Sequence, residues 1–184
     1  MENMASVKQQ AHNLELWISP IIKQDLPSLA VMKNEAWNFS PKAEELDRFL
    51  SRRFCSGFMV LGRKIKQKGV FYVGFVTYKA LDSGLRICDL VVDLDYRRLG
   101  VGEEIINYLF YLLKKEIYAS KKIVNPEEKA LTMIVSEDNV AGQLFLRKNG
   151  FVTNKTFHKM VEDRDVYLFH KQIKDHNFIF EENQ

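Results

Sequence analysis

The feature that most limits what this chain can fold into is the stretch from Leu90 to Gly102, centred on Arg97-Arg98-Leu99-Gly100-Val101-Gly102. An apolar run, Ile87-Cys88-Asp89-Leu90-Val91-Val92, leads into it, and an amphipathic pattern starting at Val101 leads out. That is a strand, a basic glycine loop and a helix in succession. The glycines let backbone come close to a bulky group, the arginines bring positive charge, and the first helical turn offers unpaired N–H groups at a positive dipole end. The stretch suits an anion, and a pyrophosphate above all.

The rest of the chain supplies the frame. Residues 1–13 read as a polar lead-in, and Leu14 to Ile18 alternates like a half-buried strand. Asp25 with Pro27 starts a helix whose spacing, through Leu26, Leu29, Ala30 and Lys33, predicts an end near Asn34. Ser40-Pro41 starts a second, with Leu46, Phe49 and Leu50 as its apolar stripe up to Arg53. Phe58 to Leu61, Val70 to Tyr78 and Leu85 to Val92 are rich in β-branched and aromatic residues and predict an antiparallel meander. Val101, Ile105, Leu109, Leu112 and Leu113 then give one apolar face to a helix reaching about Tyr118. Residues 119–129 read as a loop, Leu131 to Val135 as a strand joined in parallel through that helix, and Asn139 to Asn149 as a helix closed by Gly150. Strands from Phe151 and from Asp165 to Phe169 follow, the latter after a Glu162-Asp163-Arg164 turn, and residues 171–184 form a tail.

Length and charge narrow the classes. A chain of 184 residues, 46% hydrophobic, can bury one substantial core and reads as a single domain. A formal charge of +3 does not by itself point to nucleic acid. Lys64 to Lys68 and Lys121-Lys122 are the basic runs that a nucleic-acid reading would use; a solvated hairpin tip is the better account of the first, and no nucleic-acid partner is expected. Two cysteines, Cys55 and Cys88, predict reduced thiols; with no apolar run long enough to span a bilayer and no secretory signal at residues 1–13, the expectation is a soluble, cytoplasmic chain without a membrane partner.

Other glycine-loop chemistries fail on spacing. A dinucleotide fingerprint needs a glycine where Ile105 stands, and a nucleoside-triphosphate loop needs the missing Gly-Lys-Ser/Thr. His12, His158, His170 and His176 lack partners at zinc spacing, so no metal is expected, and no Gly-x-Ser-x-Gly elbow is present.

Val91-Val92-Asp93-Leu94-Asp95-Tyr96-Arg97-Arg98-Leu99-Gly100-Val101-Gly102, followed by Asn139-x-Ala141 and Lys148-Asn149-Gly150-Phe151, resembles the GNAT superfamily of acyl-CoA-dependent N-acetyltransferases over about Leu14 to Phe169. Its nearest branch by pattern is the one that acetylates protein N-termini, the ribosomal-protein alanine acetyltransferases among them. The resemblance implies an α/β fold, α+β-like in its element order, with one domain over residues 14–170. Its mixed sheet would hold six to seven strands beside about four helices, with antiparallel N-terminal strands and a parallel strand–helix–strand crossover splayed for acyl-CoA. It further implies acetyl-CoA as co-substrate, with backbone of Leu90, Val91 and Val92 on the pantetheine arm and thioester. The N–H groups of Arg98, Leu99, Gly100, Val101, Gly102 and Glu103 would lie on the pyrophosphate with help from the Arg97 and Arg98 side chains, and Asn139 and Phe145 would line the pantetheine and its thiol end.

The catalytic half of the pattern departs from the family. Leu146 stands where many members carry a tyrosine acid, Ile134 where the N-terminal branch carries a glutamate base, and Met160 and Val161 near where that branch grips a peptide with two tyrosines. A coenzyme A thiol ionising at about pH 8.5, as cysteine does, leaves without a proton donor. An alkyl amine near pKa ~10 still needs a base. Asp89, Glu137, His158 and Tyr167 are the candidates. Glu44, Glu45, Asp47, Glu162 and Asp163 would flank the acceptor side in the family arrangement and favour a cationic amine. The expected activity is acetyl transfer from acetyl-CoA to a primary amine, a peptide N-terminus or a small cationic amine, by a monomer or homodimer. The alternative is a weakly active or inactive acyl-CoA-binding regulatory module of the same fold.

Overall fold

The computed structural model describes residues 6–11, 14–37, 42–64, 69–119, 129–161 and 163–173. They cluster into two compact units, one of Met1–Ala80 with Arg86–Tyr108 and the other of Leu81–Leu85 with Leu109–Gln184.

In the first unit, β1 (Ser6–Ala11), β2 (Leu14–Pro20), β3 (Cys55–Lys64), β4 (Phe71–Leu81) and β5 (Gly84–Val92) lie in chain order across a sheet. β1 to β4 pair antiparallel, with Val7 opposite Leu16, Trp17 opposite Leu61 and Phe58 opposite Val76. β1 corrects the expectation of a loose lead-in: Ser-Val-Lys-Gln-Gln-Ala has no apolar face to read, and takes strand form through backbone pairing with β2. It brings the strands among the described residues to eight.

α1 (Leu26–Trp37) begins where expected but runs past Asn34, because Asn34 to Trp37 contains neither glycine nor proline to stop it. Asp25 faces backwards, its carboxylate accepting from Ile22 N at 2.8 Å and from Tyr72 Oη at 2.9 Å. That hydrogen bond, then burial, holds the Tyr72 phenol above its ordinary pKa. α2 (Ala43–Leu50) follows Lys42; the expected start at Ser40-Pro41 lies outside the described residues. The two helices lay Leu26, Leu29, Ala30, Met32 and Leu46 against Met59, Phe75 and Val91. Each such large side chain contributes about 1.5–3 kcal/mol by leaving water. Gly74 lets β4 meet β5 closely: a Cβ there would sit 2.7 Å from Val91 O and 3.6 Å from the Ile105 side chain. The start of α3 (Val101–Ala119) is thereby seated under the strand that leads to it.

In the second unit, β6 (Ala130–Ser136), β8 (Arg164–Gln172) and β7 (Val152–Val161) lie side by side and antiparallel, Met133 opposite Phe169 and Val152 opposite His170. The start of β6 meets the start of β5, Ala130 N donating to Ser83 O at 3.0 Å. α3 joins β5 to β6 as the expected crossover, and Leu109 and Leu113 from it are fully buried. α4 (Val140–Lys148) is capped by Asn139, whose Oδ1 accepts from Gly142 N at 2.9 Å. It closes as the glycine predicts: Gly150 takes φ +79°, Gly150 N donates to Arg147 O and Phe151 N to Leu146 O. β8 carries the chain beyond Phe169 to Gln172, and Ile173 after it is buried, so ordered structure enters the expected tail.

Candidate functional site

β5 ends at Val92 and the chain turns through a short 3-10 segment, Leu94–Tyr96, capped by Asp93, whose carboxylate accepts from Asp95 N at 3.0 Å. Tyr96 stacks on Phe71 with ring centroids 5.0 Å apart, fixing the turn to β4. Arg98 takes φ +65° and Gly100 φ +86°. A non-glycine residue in that region costs about 1 kcal/mol or more and marks a backbone held for a purpose. The alternation turns successive N–H groups toward one side, a concavity that suits an anion, and it runs directly into α3, where Glu104 N to Gly100 O (3.0 Å) is the first helical bond. The N–H groups of Val101, Gly102 and Glu103 precede that bond and have no helical acceptor.

Two details amend the expected roles. Arg97 Nε donates to Val92 O at 3.2 Å, so Arg97 ties the loop back to the strand end, while the exposed Arg98 is the guanidinium available to a ligand. Glu103 brings a carboxylate as well as an N–H, and burial together with Glu103 raises the Glu104 carboxyl above its ordinary range. Only backbone at these two positions suits a phosphate.

Asp89, the first of the candidate bases, lies in β5. Alternation along β5 places it on the face of the buried Ile87 and Val91, and it is 15% exposed. Lys33 Nζ lies 2.6 Å from its Oδ1, and Thr77 Oγ1 donates to its Oδ2 at 2.7 Å. Lys33 and Asp89 belong to a wall of groups that sequence spacing did not assemble, and Thr77 buttresses it from behind: a cavity of about 300 Å³ lined by Lys33, Glu45, Leu46, Arg48, Phe49, Arg52 and Asp89 opens beside the pair. The signals were a fully buried threonine in an otherwise apolar strand and a lysine at an inward helix position, each of which demands a partner. Of the three acidic residues expected on the acceptor side of α2, Glu45 lines the cavity; Glu44 and Asp47 do not. Burial and Asp89 hold the Cys88 thiol above its ordinary pKa, in the neutral form.

The remaining candidates fall in the second unit. His158 Nδ1 lies 2.9 Å from Asp165 Oδ2, with His158 79% exposed. Lys159 N donates to Asp165 Oδ1 at 3.0 Å, and that bond, then His158, holds the Asp165 carboxyl below the usual range. Because its folded pKa is depressed, Asp165 favours the β7–β8 turn above the unfolded carboxylate pKa, and this contribution disappears as pH falls through the depressed value. We expect amide exchange at Lys159 to accelerate in that acid window, after correction for intrinsic exchange, and Asp165→Asn to abolish the transition.

Glu137 is exposed and Tyr167 half-buried. Asn139 spends its carbonyl oxygen on α4, and a Cβ at Gly142 would stand 2.8 Å from its side-chain amide, a packing requirement the motif alone did not disclose. Phe145 is half-buried, Leu146 1% exposed and Ile134 39% exposed. Asp163 is exposed at φ +64°; Glu162, residues 65–68, Lys121, Lys122, His12 and His176 lie outside the described residues, and Met160 and Val161 close β7. Among the described residues no helix is long and apolar enough to cross a membrane.

No curated protein sequence shows a match to the chain. Solved structures do. The ribosomal-protein-S18-alanine N-acetyltransferase from Escherichia coli superposes with TM-score 0.67 at 18% identity, covering 90% of this chain and 99% of that one. Ard1 from Thermoplasma volcanium gives 0.67 at 15% identity, covering 87% and 99%. A structure described as a streptothricin acetyltransferase from Bacillus anthracis, in complex with acetyl coenzyme A, gives 0.55 at 20% identity, covering 70% and 68%. These likenesses show a common fold, the single mixed α/β domain that the residues predicted. The model of the acetyltransferase (GNAT) family matches residues 23–151, and with that match the chain belongs to this family, whose co-substrate is acetyl-CoA.

Proposed function

We propose that the chain passes an acetyl group from acetyl-CoA directly to a primary amine, with the loop from Arg97 to Glu103 as the pyrophosphate seat. The observation that carries this reading is the positive-φ backbone at Arg98 and Gly100 running into the unpaired N–H groups of α3, a cradle made of N–H groups and little side chain. Backbone of Leu90, Val91 and Val92 offers the pantetheine arm its polar groups. Acetyl-CoA supplies the activated acetyl thioester when bound.

Asp89 is the base favoured by the geometry. It lines the cavity beside α2, which Glu137, His158 and Tyr167 do not, and it stands one residue before the backbone assigned to the thioester. Lys33 and Thr77 hold its carboxylate in place. It accepts a proton from the acceptor ammonium; the amine nitrogen then bonds the acetyl carbon as the C–S bond breaks, and the second amine proton leaves with the thiolate or to solvent. No donor stands at Leu146 or Ile134, and none is required of a leaving thiolate. The neutral Cys88 thiol gives no cue for an acetyl-cysteine stage. Free cysteines and a coenzyme A substrate fit a reducing compartment, the cytoplasm.

The second reading, an acyl-CoA-binding module without turnover, draws on the buried Leu146. Acetyl-CoA at a hundred times its dissociation constant is expected to stabilise the chain by about 2.7 kcal/mol, and no shift overturns both readings. Thiol release that depends on an added amine then selects the enzyme. Asp89→Asn is expected to lower kcat by about tenfold or more, with the acetyl-CoA stabilisation unchanged. Undiminished kcat removes Asp89 from the role.

A further inference from the structure

The cavity beside Asp89 has the wrong charge for a simple cationic acceptor. Lys33 pairs with one oxygen of Asp89 without filling the carboxylate's lone pairs, and of the remaining charges on the wall the Arg48 and Arg52 guanidiniums outnumber Glu45. Among the described residues none of these three has an ion pair or side-chain hydrogen bond, so the two guanidiniums are unspent. Glu45, Arg48, Phe49 and Arg52 recur at three- and four-residue steps and therefore share one face of α2 and the turn after it. The charges are also graded in depth. Asp89 and Lys33 are 15% and 20% exposed, Leu46 is buried and Phe49 half-buried, and Arg48 and Arg52 are exposed at the rim.

We propose that this cavity selects a small amine that also carries an oxyanion, a carboxylate or a phosphate. The ammonium sits inward against Asp89, the carbon link lies on Leu46 and Phe49, and the oxyanion is held at the mouth by Arg48 and Arg52. Charge-assisted bonds from two guanidiniums to one oxyanion are the strong kind, and their planar forks match its geometry. A volume of about 300 Å³ is at the low end for ligand sites and takes an amino acid or phosphoamine rather than a folded protein terminus. This assignment rests on the transferase reading for its ammonium end and replaces the cationic acceptor that the acidic residues of α2 suggested.

Calorimetric titration of the full chain with matched pairs tests it: O-phosphoethanolamine against ethanolamine, β-alanine against its amide, and spermidine as the cationic case. The anion-bearing member of at least one pair is expected to bind about tenfold tighter or better, and the pair with the larger gap identifies phosphate or carboxylate. The double variant Arg48→Gln/Arg52→Gln should lose that preference while unfolding at the parent temperature. Equal or tighter binding of ethanolamine or spermidine overturns the proposal, as does a preference that survives in the double variant. Failure of all the small amines overturns it as well, and binding of an acidic peptide in their place would assign the cavity to a macromolecule. Thiol release from acetyl-CoA separates the two readings. Transfer to neutral or cationic amines alone keeps the transferase and overturns the oxyanion pocket, whereas selective O-phosphoethanolamine binding without transfer keeps the pocket and overturns the transferase.

Discussion

Replacing Gly84 by alanine is expected to destabilise the chain by about 3–5 kcal/mol, the largest effect of any single methyl addition considered. Gly84 opens β5 at φ +123° and is buried. A Cβ built there lies 2.1 Å from Ala130 O and 2.8 Å from Ala130 N, both of them backbone, so no side-chain rotation relieves the contact. The Ala130 N to Ser83 O bond must lengthen or break, and with it the seam that starts β6 in the second unit. Lys129 Nζ, which donates to Asp82 O, would be displaced along with it. The control is Gly69→Ala: Gly69 has φ +137° but nothing within 4 Å of its Cβ position, so it reports backbone strain alone, about 1 kcal/mol. Urea unfolding of both variants beside the parent measures the difference. Equal losses would mean that the seam yields and the steric account is wrong.

Much of the frame was legible because local spacing and tertiary burial agree in the elements that carry the loop. The step pattern Val101, Ile105, Leu109 and Leu113 predicted α3 from Val101 to about Tyr118, and these four side chains are at most 1% exposed in a helix that ends at Ala119. Gly100 and Gly150 were legible for the same reason: positive φ has few sequence solutions. β1 was not, because an edge strand made of polar residues earns its form from a neighbour's hydrogen bonds and leaves no periodicity. The end of α1 was missed because the spacing gives out after Lys33 while the helix continues through Asn34 to Trp37, where no glycine or proline stops it.

The catalytic half of the site was illegible for a different reason. Asp89, His158, Glu137 and Tyr167 stood equal in the sequence, each a titratable residue near a turn or in a strand. What separates them is tertiary: Asp89 has two fixed hydrogen-bonding partners and a cavity in front of it, while the imidazole of His158 is mostly in water. Acidic residues on α2 suggested a cationic acceptor because the sequence does not show which of its side chains share a wall with Asp89. Placing Arg48 and Arg52 on the cavity wall reverses the sign of that inference.

Gly102 is where binding and stability should part company. It is the second residue of α3, half-buried, at a point where the reading of the loop requires bare backbone against a pyrophosphate. Inside a helix glycine costs about 0.5–1 kcal/mol relative to alanine, so Gly102→Ala should stabilise the ligand-free chain by roughly that amount while weakening acetyl-CoA. Gly102→Glu keeps a good helix former but adds a carboxylate beside Glu103 and Glu104, directly where the phosphate charge must come to rest. We expect it to lower acetyl-CoA affinity by about a hundredfold, roughly 2.7 kcal/mol, and to erase the thermal stabilisation by the ligand in a protein that still unfolds cooperatively. Arg97→Ala should cost less, because that guanidinium is already bonded to Val92 O and serves the loop before it serves a ligand. If Gly102→Glu still responds to acetyl-CoA as the parent does, the pyrophosphate does not lie on the start of α3, and the positive-φ backbone at Arg98 and Gly100 has some other purpose.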